Sequence, residues 1–133
     1  MANRFQIVDA TLKAELRKPY VYGQADCFFL GCQMADALSP KLGLVKRYSG
    51  SYSTLAGAQR ALRRRKCKSL AELFKRHLAP CAPAEARIGD LVIIGLAGVE
   101  HVGICLGTRF VTKTERGRAD YALSDCIAAF RLG

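Results

Sequence analysis

The sequence predicts an α+β domain with its helices first and an antiparallel sheet after them. Apolar residues recur at helical spacing through the first half, as at Phe5, Val8, Leu12 and Leu16. Short β-branched runs separated by glycines fill the part of the chain after Pro83. At 133 residues, half of them hydrophobic, the chain is long enough for one real core, and a single domain over 1–133 is expected.

The first helix runs over residues 4–17, with Asn3 as its cap and Pro19 as its stop. Its apolar stripe is that of ordinary packing. Residues 27–38 are apolar nearly all round, which predicts a buried helix ended by Ser39-Pro40. Residues 41–53 are polar, with Gly43 and Gly50, and read as a loop able to wall a cleft. Leu55, Ala58 and Leu62 give a second amphipathic helix over 54–66. Ser69-Leu70-Ala71-Glu72 is a capping box that opens a short helix through His77. Residues 80–86 read as a proline-containing linker. Strands are expected over 90–96, 102–106, 109–114 and 126–132, with a tight turn at Gly107-Thr108 and a polar loop over 115–125.

Composition narrows the partners. No apolar run approaches the ~20 residues of a membrane span. The first residues lack an apolar stretch, so no secretory signal is expected and synthesis in the cytoplasm follows. The net charge of +10 favours an anionic partner, although a solubilising surface gives the same number. The run Arg63-Arg64-Arg65-Lys66 with Lys68 reads as a solvated helix end or a patch for a partner. No aromatics interleave with it, which argues against nucleic acid. The six cysteines include no C-x-x-C pair, so neither a zinc site nor any other metal or cofactor is expected. Without a secretory signal they read as reduced thiols.

One stretch stands apart: Pro19-Tyr20-Val21-Tyr22-Gly23-Gln24-Ala25-Asp26-Cys27. It delivers a cysteine to the start of the buried helix, where unpaired N–H groups and the positive dipole end favour a thiolate. There a thiol pKa is expected to fall toward neutrality. Asp26 is placed to cap the helix, and its charge opposes the thiolate. A thiol nucleophile needs a base. The chain has two histidines. His77 sits among Lys75 and Arg76 on an apparent surface helix, whereas His101 opens His101-Val102-Gly103-Ile104, a strand-like run. A cysteine near a helix start and a histidine on a strand are each more often structural than catalytic. Together they make Cys27 and His101 the candidate pair.

Tyr20-Val21-Tyr22-Gly23-x-x-Asp26-Cys27, then Ile88-Gly89-Asp90-Leu91-Val92-Ile93, then His101-Val102-Gly103-Ile104-x-Leu106-Gly107, in that order, resembles the NlpC/P60 cysteine peptidases. These are papain-like cell-wall hydrolases, and the similarity is greatest to the short forms of phage tail modules and gene transfer agents. The final Ala128-Ala129-Phe130-Arg131-Leu132-Gly133 also resembles the end of those forms. The resemblance implies a papain-like NlpC/P60 fold with helices packed on the sheet. It implies Cys27 as nucleophile, His101 as base, and a third polar residue at the position of Thr112, where the family usually has His, Asn or Gln. Phe28 follows the cysteine where many members have Ser. Tyr20, Tyr22 and Asp26 are the candidate substrate-binding residues. The implied function is a peptidoglycan-directed endopeptidase cutting stem peptides, carried in a virion tail among tail-tip or baseplate proteins. The alternative is a catalytically silent tail component that keeps the same shape. For an anionic stem peptide the expected cleft cations are Lys18, Lys113, Arg116 and Arg118, with the 63–68 run facing elsewhere.

Overall fold

The structure is a computed structural model, and it describes residues 2–133. Among the described residues it is α+β: five α-helices and one six-stranded sheet whose paired strands all run antiparallel. The helices are α1 (Arg4–Arg17), α2 (Cys27–Leu38), α3 (Leu44–Tyr48), α4 (Leu55–Arg64) and α5 (Leu70–Lys75). The strands are β1 (Pro80–Cys81), β2 (Leu91–Leu96), β3 (Val99–Cys105), β4 (Phe110–Thr114), β5 (Gly117–Tyr121) and β6 (Cys126–Phe130). In space they lie in the order β1-β6-β2-β3-β4-β5.

The all-round apolar sequence of α2 has its physical cause in the packing. Phe29, Leu30, Cys32, Met34 and Ala35 are buried, and the helix lies on the sheet face formed by Leu91, Ile93, Val102, Ile104 and Val111. Gly31 sits at the closest approach, since a Cβ there would lie 2.6 Å from Val102 Cγ1. The other face of the sheet carries a smaller cluster of Val92, Ile94, Cys105, Phe110 and Ala129. Asn3 and Gln6 form a reciprocal cap on α1.

The chain ends are fastened by one buried carboxylate. Asp90 Oδ1 accepts from Arg4 Nη2 at 2.9 Å and from the Leu132 N–H at 2.9 Å, and Oδ2 accepts from the Arg87 N–H at 2.8 Å. Arg4 Nη1 also donates to the Leu132 carbonyl at 2.5 Å. One aspartate thereby holds α1, the start of β2 and the C-terminal segment together.

Three segments differ from the sequence expectation. Residues 41–53 contain helix α3, because the Asp36 carboxylate accepts the Leu44 and Val45 N–H groups at 2.8 and 3.0 Å. A cap supplied from another helix leaves no local signature. Residues 80–86 are not a plain linker: Cys81 pairs with Ala129, and a single 3-10 turn follows at Pro83–Glu85. The polar stretch 115–125 contains β5, which pairs with β4 from Phe110↔Tyr121 to Thr114↔Gly117. As an edge strand it needs no continuous apolar face, so its sequence stays polar. The capping box predicted at α5 is half made. Ser69 accepts the Glu72 N–H at 3.1 Å, while the Leu70 N–H goes to Glu100 on β3 at 2.8 Å.

Candidate functional site

The loop before α2 is set by backbone. Val21 pairs with Ala25, and Gly23 turns between them at φ +83°. A Cβ at Gly23 would lie 1.9 Å from the Tyr52 carbonyl oxygen, so only glycine fits. Asp26 then caps α2 as expected, with Oδ1 accepting from the Phe29 N–H at 3.0 Å. Its second oxygen accepts from the Gly23 N–H at 3.0 Å and from the Tyr52 hydroxyl. Asp26 is 3% exposed, and both of its oxygens are engaged inside the protein. It therefore serves the architecture of the cysteine loop, although it borders the cleft.

Cys27 is the first residue of α2 and His101 the third of β3. Both line one cleft of about 400 Å³. Tyr20, Tyr22 and Tyr52 are on its walls, with the apolar side of α4 (Leu55, Ala58, Ala61, Leu62) and Val99 of β3. Tyr48, Ser51 and Tyr52 come from the 41–53 segment, which does wall the cleft. A second hollow of about 370 Å³ adjoins the first across Tyr20, Tyr22 and His101, and Lys113, Thr114, Glu115 and Arg116 complete it.

The electrostatics differ from expectation at the sulfur. Burial pushes the Cys27 thiol up to about 11, and the Asp26 charge adds to the rise. The Val102 and Cys27 backbone and the Tyr20 hydroxyl oppose it without overcoming it. Burial at the sulfur thus works against the thiolate that the helix start favours, although the residue itself is only half-buried on the cleft wall. Burial lowers the His101 pKa, which keeps its imidazole neutral at pH 7. Among the described residues no hydrogen bond joins Cys27 to His101; they share the cleft wall.

Tyr20 stands against Cys27. Burial raises its hydroxyl pKa, as does the nearby Cys27, while the Cys27 backbone N–H works the other way. Tyr22 packs edge-on to Tyr20 with ring centroids 5.2 Å apart. Its hydroxyl donates to Glu115 at 2.6 Å, which raises the phenol to about 12.

Thr112 is placed elsewhere. It is fully buried, its hydroxyl donates to the Val102 carbonyl at 2.6 Å, and it borders neither hollow. It pairs with Gly103, two residues along β3 from His101. The strand thus uses Thr112 to pin the backbone next to the site, and His101 has no third polar partner among the described residues. His77 is half-buried instead of sitting freely on the surface, with Nε2 2.5 Å from the Tyr48 hydroxyl.

Of the four expected cleft cations, Lys113 and Arg116 border the adjoining hollow with His101, whereas Lys18 and Arg118 border neither hollow. Lys18 pairs with the Glu15 carboxylate at 2.6 Å, Arg118 with Asp120 at 2.8 Å, and the buried Lys113 ammonium donates to the Glu15 carbonyl at 2.9 Å. Arg65 and Lys68, from the run expected to face elsewhere, line the cleft that holds Cys27. Arg65, Lys68 and Glu100 line the cleft without having been expected there, and Tyr52 was covered only as part of the 41–53 segment. The apolar stripe of α4 was the available signal for the two cations, since a helix with a cleft-facing side carries its C-terminal charges to the cleft's end. Nothing local marked Tyr52. Among the described residues no group of three His, Cys, Asp or Glu side chains has a metal-site arrangement, and no helix is long and apolar enough to cross a membrane.

Fold and site together define a small α+β protein whose buried helix and antiparallel sheet bring a cysteine and a histidine to one cleft. Residues 3–132 match the family described as Domain of unknown function (DUF6950), and the chain belongs to that family. No curated protein and no solved structure matches it.

Proposed function

We propose that the protein is a cysteine hydrolase of peptide or amide bonds, with Cys27 as nucleophile and His101 as general base. The observation that carries this reading is their common position on the wall of one cleft, one from the start of α2 and one from β3. The raised thiol sets the order of events. Cys27 waits protonated, and the proton leaves Sγ only as His101 takes it while sulfur attacks the carbonyl carbon. The neutral imidazole is the form that accepts that proton. The Cys27 N–H and the Tyr20 hydroxyl, both beside the sulfur, serve as donors to the developing oxyanion. His101 then protonates the leaving amine, and water releases the acyl group from sulfur.

The resemblance to NlpC/P60 peptidases supplies the rest of the proposal: a papain-like fold, peptidoglycan stem peptides as substrate, and a place in the tail tip or baseplate of a phage-like particle. A second reading, a silent tail component of the same shape, is favoured by the high thiol pKa and by Thr112 being committed to Val102. One experiment separates them. Purified peptidoglycan is incubated with the protein and with Cys27→Ala, and new termini are sought by mass spectrometry. Hydrolysis expects new termini with the unmodified protein alone, whereas their absence from both samples supports the silent component.

A further inference from the structure

The cleft holding Cys27 has four charged residues on its wall, and they are not equivalent. The two anions are engaged inside the protein. Asp26 takes N–H groups from Gly23 and Phe29 and the Tyr52 hydroxyl, and Glu100 takes the Leu70 N–H. The two cations are not matched in this way. Neither Arg65 nor Lys68 belongs to any ion pair among the described residues. Arg65 spends one nitrogen, Nη2, on Ser51 Oγ at 3.1 Å and lies 4.8 Å over the Tyr48 ring. The ring and the Ser51 contact hold the exposed Arg65 side chain at the cleft, and its remaining N–H groups have no hydrogen-bond partner among the described residues. Lys68 has no hydrogen-bond partner of its own among the described residues. The same wall carries an apolar stretch, Leu55, Ala58, Ala61 and Leu62 of α4 with Val99, which is 53% exposed.

We infer that this cleft contains a carboxylate-binding subsite, and that the ligand is a peptide with a small apolar body and a free carboxylate held by Arg65 and Lys68. The inference rests on the hydrolase reading for the ligand's relation to Cys27, and deepens it by naming the specificity-determining residues. A guanidinium can give a carboxylate two parallel donors, and Lys68 adds a point charge. Arg65 and Lys68 are both exposed at the cleft edge, so the attraction to a carboxylate weakens as salt is added. The other members of the basic run, Arg63, Arg64 and Lys66, do not border the cleft.

The test uses Cys27→Ala, so that binding is read without turnover. The probes are an N-acetylated, alanine-rich tetrapeptide with a free C-terminal carboxylate and the same peptide amidated. Titrations are followed by NMR shifts of the protein. The acid is expected to bind roughly tenfold tighter than the amide. The double variant Arg65→Gln, Lys68→Gln should abolish that difference, and Arg63→Gln should leave it intact. Equal binding of acid and amide overturns the inference, and so does a preference that survives the double variant. Tight binding of a 12-mer RNA, weakened as much by Arg63→Gln as by Arg65→Gln, also overturns it and assigns the run to nucleic acid. The two readings fail separately. Selective binding of the acid by Cys27→Ala with no cleavage by the unmodified protein removes the hydrolase and keeps the subsite. Equal kcat/KM for acid and amide removes the subsite and keeps the hydrolase.

Discussion

The Tyr52 hydroxyl donates to the carboxylate of Asp26, the residue that caps the helix on which Cys27 stands. That contact joins the segment before α4 to the cysteine loop. It also keeps a charged carboxylate beside the sulfur, whose pKa the Asp26 charge raises.

The first prediction follows from the thiol. Iodoacetamide labelling of Cys27 in the folded protein, read by peptide mass spectrometry, should climb about tenfold per pH unit from pH 7 to 10, since only the thiolate reacts. Asp26→Asn keeps a capping side chain and removes the charge, so its profile should shift to lower pH. His101→Ala should leave the profile unchanged while abolishing hydrolysis. A plateau reached by pH 8 would show that the thiol is activated in the resting protein.

Thr112→Val tests the third position. The hydroxyl bonds to the Val102 carbonyl, so its loss should cost about 1 kcal/mol of stability. The kcat/KM of any hydrolysis should stay within a few-fold of the unmodified protein. A fall of about 100-fold or more would instead place Thr112 in the catalytic machinery.

Asp90→Ala should be among the more damaging single changes. It removes a fully buried carboxylate and orphans the Leu132 and Arg87 N–H groups, with Arg4 losing its ion-pair partner. The loss in urea unfolding should be about 3 kcal/mol, held down by the partial exposure of the arginines. A loss below about 1 kcal/mol would show that Asp90 does not hold the chain ends.

Gly23→Ala addresses the loop. The new Cβ meets the Tyr52 carbonyl in a left-handed backbone position, so the cysteine loop must move. The expected outcome is a loss of at least about 1–2 kcal/mol and changed NMR shifts at Tyr52 and Cys27. Unchanged shifts at both would contradict the observed packing.

A pH dependence of stability follows from the histidines. Burial lowers the pKa of both His77 and His101 from the ordinary 6.5. The unfolded chain therefore binds more protons below about that pH, and stability should fall as pH drops through 6.5 toward the folded values. Thermal midpoints should decline from pH 7 to 5.5, and His77→Gln or His101→Gln should each flatten the decline. A midpoint that rises over that interval contradicts the sign.

Much of this fold is local and so was written in the sequence. The periodicity of α1, the continuous apolar run of α2 and the cap at Asp26 need only nearby residues. The same holds for the β-branched strands and the tight turn at Gly107. The sequence alone therefore determined the α+β order, the helix start that carries Cys27 and the strand that carries His101. Long-range geometry decided what they do together. Helix α3 exists because Asp36 caps it from α2, and β5 exists because β4 offers an edge. Thr112 points its hydroxyl at Val102, and Arg65 and Lys68 reach the cleft because α4 lays its apolar side there. The sulfur's environment shows the division most clearly. A helix start favours a thiolate, and burial disfavours it, but burial is a property of the whole enclosure. No local pattern of residues records how far the tertiary structure covers Cys27, which ends half-buried on the cleft wall.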